Sequence, residues 1–320
     1  MLGIVKRVLT ISQTETLVRV RGFKTGDDNS IARRETIGAA FLEGYHLALN
    51  SGSIDTLGCG LARIPPQHSG FAFEGAAMAL ALLDCLDPSS RRRLDTFLAG
   101  DGAAHSYMVH VGAGWIIGRI PWLKVAPHRY AAKFDSTLRW LVVDGFGFHE
   151  GYFHWKAVNR SRQGSRLKGY TAHAFDQGLG RSIWFVEACS APDVATTILS
   201  FDSSRRRDLW SGVGLASAYA GGASASAVKY MVDVAGPYSG AYAQGVAFAA
   251  KARQCAGNMA VHTEEACRVA CQMSAADAAA VTEEARKGLT QREGQPAYEL
   301  WRTRIQQVFR NSERCHESNR

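Results

Sequence analysis

The sequence predicts a mostly α-helical protein built from helical-hairpin repeats of about 33 residues, arranged as an α/α superhelix or a closed α/α ring. Three observations support this prediction. A glycine recurs at a nearly fixed spacing through most of the 320-residue chain. Stretches rich in Ala, Leu and Met surround the copies, and the alternation of apolar and polar residues that is typical of strands is scarce.

The recurring glycine defines the repeat. Its copies are Gly44, Gly75, Gly112, Gly145, Gly178, Gly212 and Gly245, with successive spacings of 31, 37, 33, 33, 34 and 33 residues. Two positions later the residue is Gly or Ala in every copy except the first, which has His46. Three positions later it is apolar in every copy except the fifth, which has Arg181. Small residues at a fixed helix position let two helix backbones approach closely, so the pattern predicts tight packing between neighbouring repeats.

The first element is a basic N-terminal segment. It lacks the continuous apolar stretch and the cleavage site of a secretory signal, so we expect it to belong to the folded protein. Within it, "TLVRVRGF" at 16–23 is the best strand candidate. We divide the chain into an N-terminal segment (1–30), a single helical repeat domain (31–310) and a flexible tail (311–320).

The following elements are predicted helices. "GAAMALALLDCLDPSS" at 75–90, "GVGLASAYAGG" at 212–222 and "GVAFAAKARQCAG" at 245–257 are rich in helix formers and end at Pro or Gly. The segments "SSRRR" at 89–93 and 203–207 predict helix starts with exposed arginines.

Composition excludes several classes of protein. A hydrophobic content of 46% with 21% charged residues is ordinary for a globular protein, and no uninterrupted apolar run has the length of a membrane span. The seven cysteines form no disulfide framework, which favours a reducing cytoplasm. The net charge is +8, but the basic residues are not interleaved with stacking aromatics, so we expect no nucleic-acid partner. An anionic partner or carrier stays open.

The densest polar cluster is "DGFGFHEGYFHW" at 144–155. It supplies Asp144, His149, Glu150 and His154 as candidate catalytic residues. The two histidines are five residues apart, about 140° around a regular helix, so we expect them not to share a metal ion. Buried polar groups that join neighbouring repeats are the alternative interpretation.

A second polar cluster is "FDQGLGRSIWF" at 175–185. The G-x-G-x-x-G motif of dinucleotide-binding loops follows a strand. Here no strand precedes the two glycines and Ile183 occupies the third glycine position, so the segment is not such a loop. Asp176 and Arg181 are either substrate-polarising groups or a structural ion pair. With His110, they complete the candidate catalytic residues. We predict no cofactor and no metal.

Aromatic residues concentrate in the middle repeats. Core packing explains most of them. If the repeats close into a ring, some would line an apolar cavity suited to a long unsaturated chain. The candidate substrate-binding residues are Trp115, Phe148, Tyr152, Trp155, Trp184 and Trp210.

Several segments together resemble those of the bacterial DUF1702 family. They are "SGFAFEGAAMALALLD", "YMVHVGAGW", "DGFGFHEGYFHW", "AFDQGLGRSIWFVE", "LWSGVGLASAYAGG", "AQGVAFAAKARQCAGN" and "HTEEACRVAC". The resemblance extends from about Arg21 to Trp301. It implies a bacterial origin and an association with gene clusters for specialised metabolites, notably enediyne polyketides. It implies no catalytic residue.

Three functions stay open at this point. The first is a biosynthetic protein that acts on or shapes a linear polyene-like substrate, free or carrier-bound. The second is a non-catalytic helical-repeat scaffold that binds pathway proteins or a carrier. The third is an isoprenoid-type cyclase, although the aspartate-rich motifs of such enzymes are absent. Burial of the candidate groups around an enclosed pocket would favour the first over the second.

Overall fold

The structure is a computed structural model that describes residues 9–87, 92–160, 162, 167–290 and 295–317, without the side chains of 159, 160 and 311–317. The prediction of a mostly helical protein is confirmed, and the described residues contain no strand. The strand candidate at 16–23 is therefore wrong. This segment forms the end of a 3-10 helix and the short helix Val18–Arg21, which ends at Gly22 with a positive φ of 66°.

We number the α-helices in chain order. They are α1 Val18–Arg21, α2 Asp28–Asn50, α3 Ile54–Leu61, α4 Pro66–Leu86, α5 Arg93–Ala99, α6 Ser106–Arg119, α7 Pro121–Val125, α8 Pro127–Ala131, α9 Arg139–Phe153, α10 Trp155–Arg160, α11 Tyr170–Val186, α12 Ala191–Leu199, α13 Ser203–Ala220, α14 Ala225–Ala235, α15 Ser239–Cys255, α16 Val261–Ala270, α17 Ala275–Arg286 and α18 Ala297–Glu317. Short 3-10 helices occupy Gln13–Thr16, Ala103–His105 and Gly236–Tyr238.

Seven long helices carry the repeat glycines. These core helices are α2, α4, α6, α9, α11, α13 and α15, and each packs extensively against the next in the series. In the C-terminal half, the shorter helices α12, α14 and α16 also pack on one another in sequence and form an outer layer. The last helices, α17 and α18, cover α15.

The glycines bring neighbouring core helices into backbone contact. A Cβ atom on Gly112 would overlap the carbonyl oxygen of Glu74, and one on Gly178 would overlap that of Asp144. The small residue two positions later makes the same kind of contact with the following helix, as Gly114 does with the carbonyl of Val142. Each interface between two such copies is therefore held by small residues from both helices.

The structure shifts the first copy of the repeat by two residues. Gly44 contacts the carbonyl of Ala72, and Gly75 contacts that of Phe41. These contacts place Gly44 at the second small position and Leu42 at the first. The spacing from Leu42 to Gly75 is then 33 residues, as in most other copies. The recurring glycine does not reveal this shift, because Leu42 stands where the other copies have the repeat glycine.

Helix α13 begins at an ordinary cap, and the prediction of exposed arginines is confirmed for Arg92 but wrong for Arg93 and Arg205. Asp202 caps α13 by accepting a hydrogen bond from the backbone N–H of Ser204. Arg205, in the first turn of α13, is buried and pairs with Asp176. Arg93 is also largely buried, on Asp84 and Asp87. The preceding residues 89–91 lie outside the described residues.

Among the residues that the structure describes, one helix, α4, is long and apolar enough to cross a membrane by length and composition. Its apolar residues are mostly buried between α2 and α6, and 72% of its most apolar window lies inside the protein. Such burial in the core accounts for the composition of this helix without a membrane.

Candidate functional site

A largely apolar cavity lies among the core helices α2, α4, α6, α9, α11 and α13. Its empty volume is about 830 Å³, including space open to solvent. Eight aromatic residues contribute to its wall, namely Phe41, Phe71, Trp115, Phe148, Tyr152, Phe153, Phe185 and Tyr219. The dimensions suit a slender apolar molecule.

The repeat explains why these side chains face the cavity. The third position after the repeat glycine contributes Met78, Trp115, Phe148, Arg181 and Leu215, one from each of five successive helices. Neighbouring core helices contact each other at the two small positions of the repeat. The side chain that directly follows the second small position therefore lies at the edge of this helix contact in every copy. Four residues of the apolar column seen in the sequence therefore line the cavity, and Arg181 places a charge in that lining.

Arg181 joins two buried carboxyl groups from other repeats. Its Nη1 lies 3.2 Å from Oδ1 of Asp144, an ion-pair distance without hydrogen-bond geometry, and its Nη2 lies 3.6 Å from Oε1 of Glu74. Its guanidinium also stacks over Phe148, 4.9 Å from the ring centre. Glu74 Oε1 accepts a hydrogen bond of 3.0 Å from Trp115 Nε1. We call Glu74, Asp144 and Arg181 the buried charge triad.

The triad has one cation for two carboxyl groups. Burial raises the pKa of Glu74 to about 7, although Arg181 and the Trp115 hydrogen bond oppose the shift. Burial likewise raises the pKa of Asp144 to about 6, against the effect of Arg181. A proton held on Glu74 leaves a balanced pair of Arg181 and Asp144. Near neutral pH Glu74 can therefore donate or accept a proton at the cavity wall.

A further polar group faces the cavity from α13. The Tyr219 hydroxyl is buried and has no hydrogen-bond partner among the described residues. Burial raises the pKa of Tyr219 to about 12, so the hydroxyl stays protonated. With Arg181, Met108 and Leu215, it separates the cavity from a smaller one that reaches α15 and α18.

The structure separates the polar residues of 175–185. Arg181 belongs to the buried charge triad, whereas Asp176 is held by Arg205 through its Oδ1 and Oδ2 atoms at 2.5 and 2.9 Å. The interpretation of Asp176 and Arg181 as a structural ion pair is therefore wrong. The two side chains leave α11 on different faces and pair with different helices. Gln177 donates to Asp208 at 3.1 Å, between α11 and α13.

The histidines of 144–155 form a separate cluster outside the cavity lining. Glu150 Oε1 lies 3.1 Å from His149 Nδ1, 3.3 Å from His154 Nδ1 and 3.0 Å from Lys124 Nζ. Burial lowers the pKa of His149. The pKa of Glu150 is also lowered, because the hydrogen bonds from His149 and Lys124 outweigh the opposite effect of burial. The ligand atoms of the two histidines nevertheless lie close together, because α9 ends at Phe153 and His154 lies beyond the regular helix to which the sequence argument applied.

The remaining predicted residues are distributed over the core. His110 is buried, with Nδ1 2.7 Å from the carbonyl oxygen of Ser106, and does not line the cavity. Trp115, Phe148 and Tyr152 line the cavity. Trp155, Trp184 and Trp210 do not, and the two latter are completely buried between helices.

Sequence reasoning did not select Glu74 and Tyr219. A signal for Glu74 was present, since the position before the repeat glycine is mostly polar and carries both Glu74 and Asp144. Because that position adjoins the helix contact, an acidic residue there is forced into the interior. Tyr219 has no comparable signal, as its place in the wall depends on how α13 crosses α4.

Comparisons with known proteins give one match. A search of curated proteins and a search of solved structures find no similar protein. The family model described as "Protein of unknown function (DUF1702)" matches residues 1–309, which include the core helices, the cavity and the buried charge triad. The chain therefore belongs to the DUF1702 family.

Proposed function

We propose that this protein binds a linear polyene-like apolar molecule in its cavity and acts on it through the proton of Glu74. The observation that carries the proposal is the pairing of an aromatic wall with a buried carboxyl group whose pKa is about 7. Aromatic faces favour a flat conjugated chain and also stabilise positive charge. A proton at the wall is then the one strongly reactive group that such a chain meets.

The chemistry follows from the triad. Transfer of the Glu74 proton to a carbon of the chain forms a C–H bond and leaves a delocalised cation on the chain and a carboxylate on Glu74. Loss of a proton from another carbon to that carboxylate restores Glu74 and moves the double bonds. Arg181 stabilises the transient carboxylate, and Phe148 lies under the Arg181 guanidinium. Isomerisation or ring closure of the chain would both use this cycle.

The proposed architecture supports a retained substrate. We propose that the seven core helices curl into a closed α/α ring, since α2 and α4 contact later members of the series. Arg34 on α2 donates to the carbonyl of Phe185, and Phe71 on α4 packs against Tyr219 at 5.3 Å between ring centres. Asn258, after α15, donates to the carbonyl of Pro66.

The proposed pathway is that of bacterial specialised metabolites of the enediyne polyketide type. The support for it is the family resemblance, together with a cavity suited to an unsaturated chain. We also propose a cytoplasmic location, and the six cysteines whose side chains the structure describes are free thiols. A carrier-bound substrate or a pathway protein is the proposed partner.

Mass spectrometry of copurified small molecules tests the binding step. We expect the wild-type protein to release a conjugated apolar compound on denaturation. Ala216→Phe, which fills the cavity from α13, should release much less, whereas Trp122→Ala, on the exposed helix α7, should match the wild type. Equal release from the wild type and Ala216→Phe would contradict binding in this cavity.

The catalytic step needs its own comparison. Glu74→Gln keeps the shape of the side chain and removes its proton, so the variant should bind the compound but leave it unconverted. Product profiles of pathways with wild-type protein and with Glu74→Gln measure this difference. Identical profiles would remove the proton-transfer role and leave a binding protein.

One observation favours the scaffold function as a second candidate. Trp122 and Val125 on α7 are 64% and 85% exposed, beside the basic Lys124. Large exposed apolar residues are typical of protein interaction sites. If Trp122→Ser changes the product profile while Ala216→Phe does not, the scaffold function is the better account.

A further inference from the structure

Three metal-ligating side chains meet at the C-terminal end of α9. Glu150 lies in the last turn, His149 directly precedes that turn, and His154 directly follows the helix. The ligand atoms of the three residues all lie within 4.8 Å of one another. His149 is buried, Glu150 is mostly buried and His154 is about half exposed, so the group is open to solvent on one side.

The distances already approach those of a coordination sphere. A zinc-class ion binds imidazole nitrogen and carboxylate oxygen at about 2.0–2.2 Å, which places neighbouring ligand atoms roughly 3 to 3.5 Å apart. Glu150 Oε1 meets this spacing with both His149 Nδ1, at 3.1 Å, and His154 Nδ1, at 3.3 Å. The distance between the two histidines closes further by rotation of the half-exposed His154 side chain.

We propose that His149, Glu150 and His154 bind a divalent first-row transition metal ion of the zinc class. Two imidazoles and one carboxylate form a donor set that such ions favour over Mg²⁺ or Ca²⁺, which prefer oxygen ligands alone. Three protein ligands leave a coordination position for water on the exposed side. The C-terminal end of α9 is essential, because five residues of continuous helix would turn the two histidines away from each other.

Lys124 tunes this site by competing for the same carboxylate. Its Nζ lies 3.0 Å from Glu150 Oε1, the atom that both histidines approach. A metal ion must displace this ammonium group, so Lys124 weakens metal binding. Lys124 lies in the short helix α7 and its side chain is 36% exposed, so its displacement requires no rearrangement of the core.

The site is separate from the cavity. Phe153 lies between them, because it lines the cavity and its ring centre is 4.8 Å from that of His149. A bound metal ion would fix the end of α9 and hence this part of the cavity wall. None of the three ligand residues lines the cavity, so the test of the metal site and the test of the proposed function have separate outcomes.

Titration of metal-free protein with Zn²⁺ by calorimetry, and with Co²⁺ by visible absorption, tests the proposal. We expect one Zn²⁺ per chain and the absorption of Co²⁺ with nitrogen and oxygen ligands. Glu150→Gln and His154→Asn should each weaken binding at least about tenfold. Lys124→Met should tighten it, because the competing ammonium group is gone.

Two controls keep the result specific. His128→Asn removes an exposed histidine outside the cluster and should bind Zn²⁺ like the wild type. Circular dichroism confirms folding of each variant, and the substituted Glu150, His154 and Lys124 are not core apolar residues. The proposal is overturned if the wild type takes up no stoichiometric Zn²⁺, if Glu150→Gln or His154→Asn binds as well as the wild type, or if Lys124→Met binds no more tightly.

Discussion

Glu74 and Asp144 occupy the same position in two different repeats, one residue before the repeat glycine. Arg181, from a third repeat, lies between them. The sequence singles out Arg181, since it interrupts an apolar column. Its partners could not be deduced in the same way, because Glu74 precedes it by 107 residues and only the successive packing of α4, α6, α9 and α11 brings the groups together.

We expect Glu74→Gln to change the pH dependence of stability. The pKa of Glu74 rises from 4.5 to about 7 on folding, so the folded state binds more protons than the unfolded state between these values. The stabilisation by the protonated form is present below pH 4.5 and is lost as pH rises through 7. Between pH 4.5 and 8 the free energy of unfolding of the wild type should therefore fall by up to roughly 3 kcal/mol more than that of the variant.

Urea unfolding at pH 5 and pH 8 measures this difference. Glu43→Gln is the matched control, because Glu43 is an exposed glutamate on α2. It should leave the pH profile of the wild type unchanged. Parallel profiles for the wild type and Glu74→Gln would contradict the raised pKa of Glu74.

Arg181→Met should lower the free energy of unfolding little at pH 5 and strongly at pH 8. Methionine fits the apolar column but leaves Glu74 and Asp144 without their shared cation. At pH 5 both carboxyls can hold protons, whereas at pH 8 an unpaired buried charge costs about 3 kcal/mol or more. A loss of stability of the same size at both pH values would show that Arg181 acts by packing alone.

At the scale of helices, close packing depends on glycine more than on apolar side chains. The sequence predicts these contacts well, because both small positions recur in copy after copy. It misplaces the first copy, where the pattern begins with Leu42 and only Gly44 is visible. Short helices such as α1 were not predicted, since four residues with alternating Val and Arg fit a strand equally well.

Gly178→Ala should therefore destabilise the protein by about 1–3 kcal/mol or more, because its Cβ would overlap the backbone carbonyl of Asp144. Without this contact the substitution should increase the stability, because alanine is a better helix former than glycine. Gly60→Ala, near the flexible end of Leu47, supplies the control and should be neutral or stabilising. Thermal unfolding of both variants decides between the two effects.

At the scale of the whole molecule, contacts between distant repeats hold the chain together. Arg34 on α2 donates hydrogen bonds to the carbonyls of Ser30, Lys24, Thr25 and Phe185 and is buried. One side chain thus joins the N-terminal segment, the first core helix and the fifth. The sequence cannot reveal such contacts between distant repeats, because the curvature of a repeat array accumulates from small rotations at each interface.

Arg34→Met should lower the free energy of unfolding by at least about 2 kcal/mol, since several buried carbonyls lose a charged donor. It should also weaken ligand retention, because Arg34 lines the cavity. Arg129→Met, on the exposed side of α8, is the control. Denaturant unfolding with unchanged midpoints for both variants would show that the contacts between α2 and α11 contribute little.

The backbone contacts of the repeat glycines have a consequence for how this family can diversify. Since main-chain atoms set the distance between core helices, the side chains one position beyond the small residues do little to hold that distance. Met78, Leu215 and their equivalents can be exchanged for larger or smaller residues while the frame keeps its dimensions. The same frame can then accept molecules of different length and shape, so relatives that share every glycine need not share a ligand.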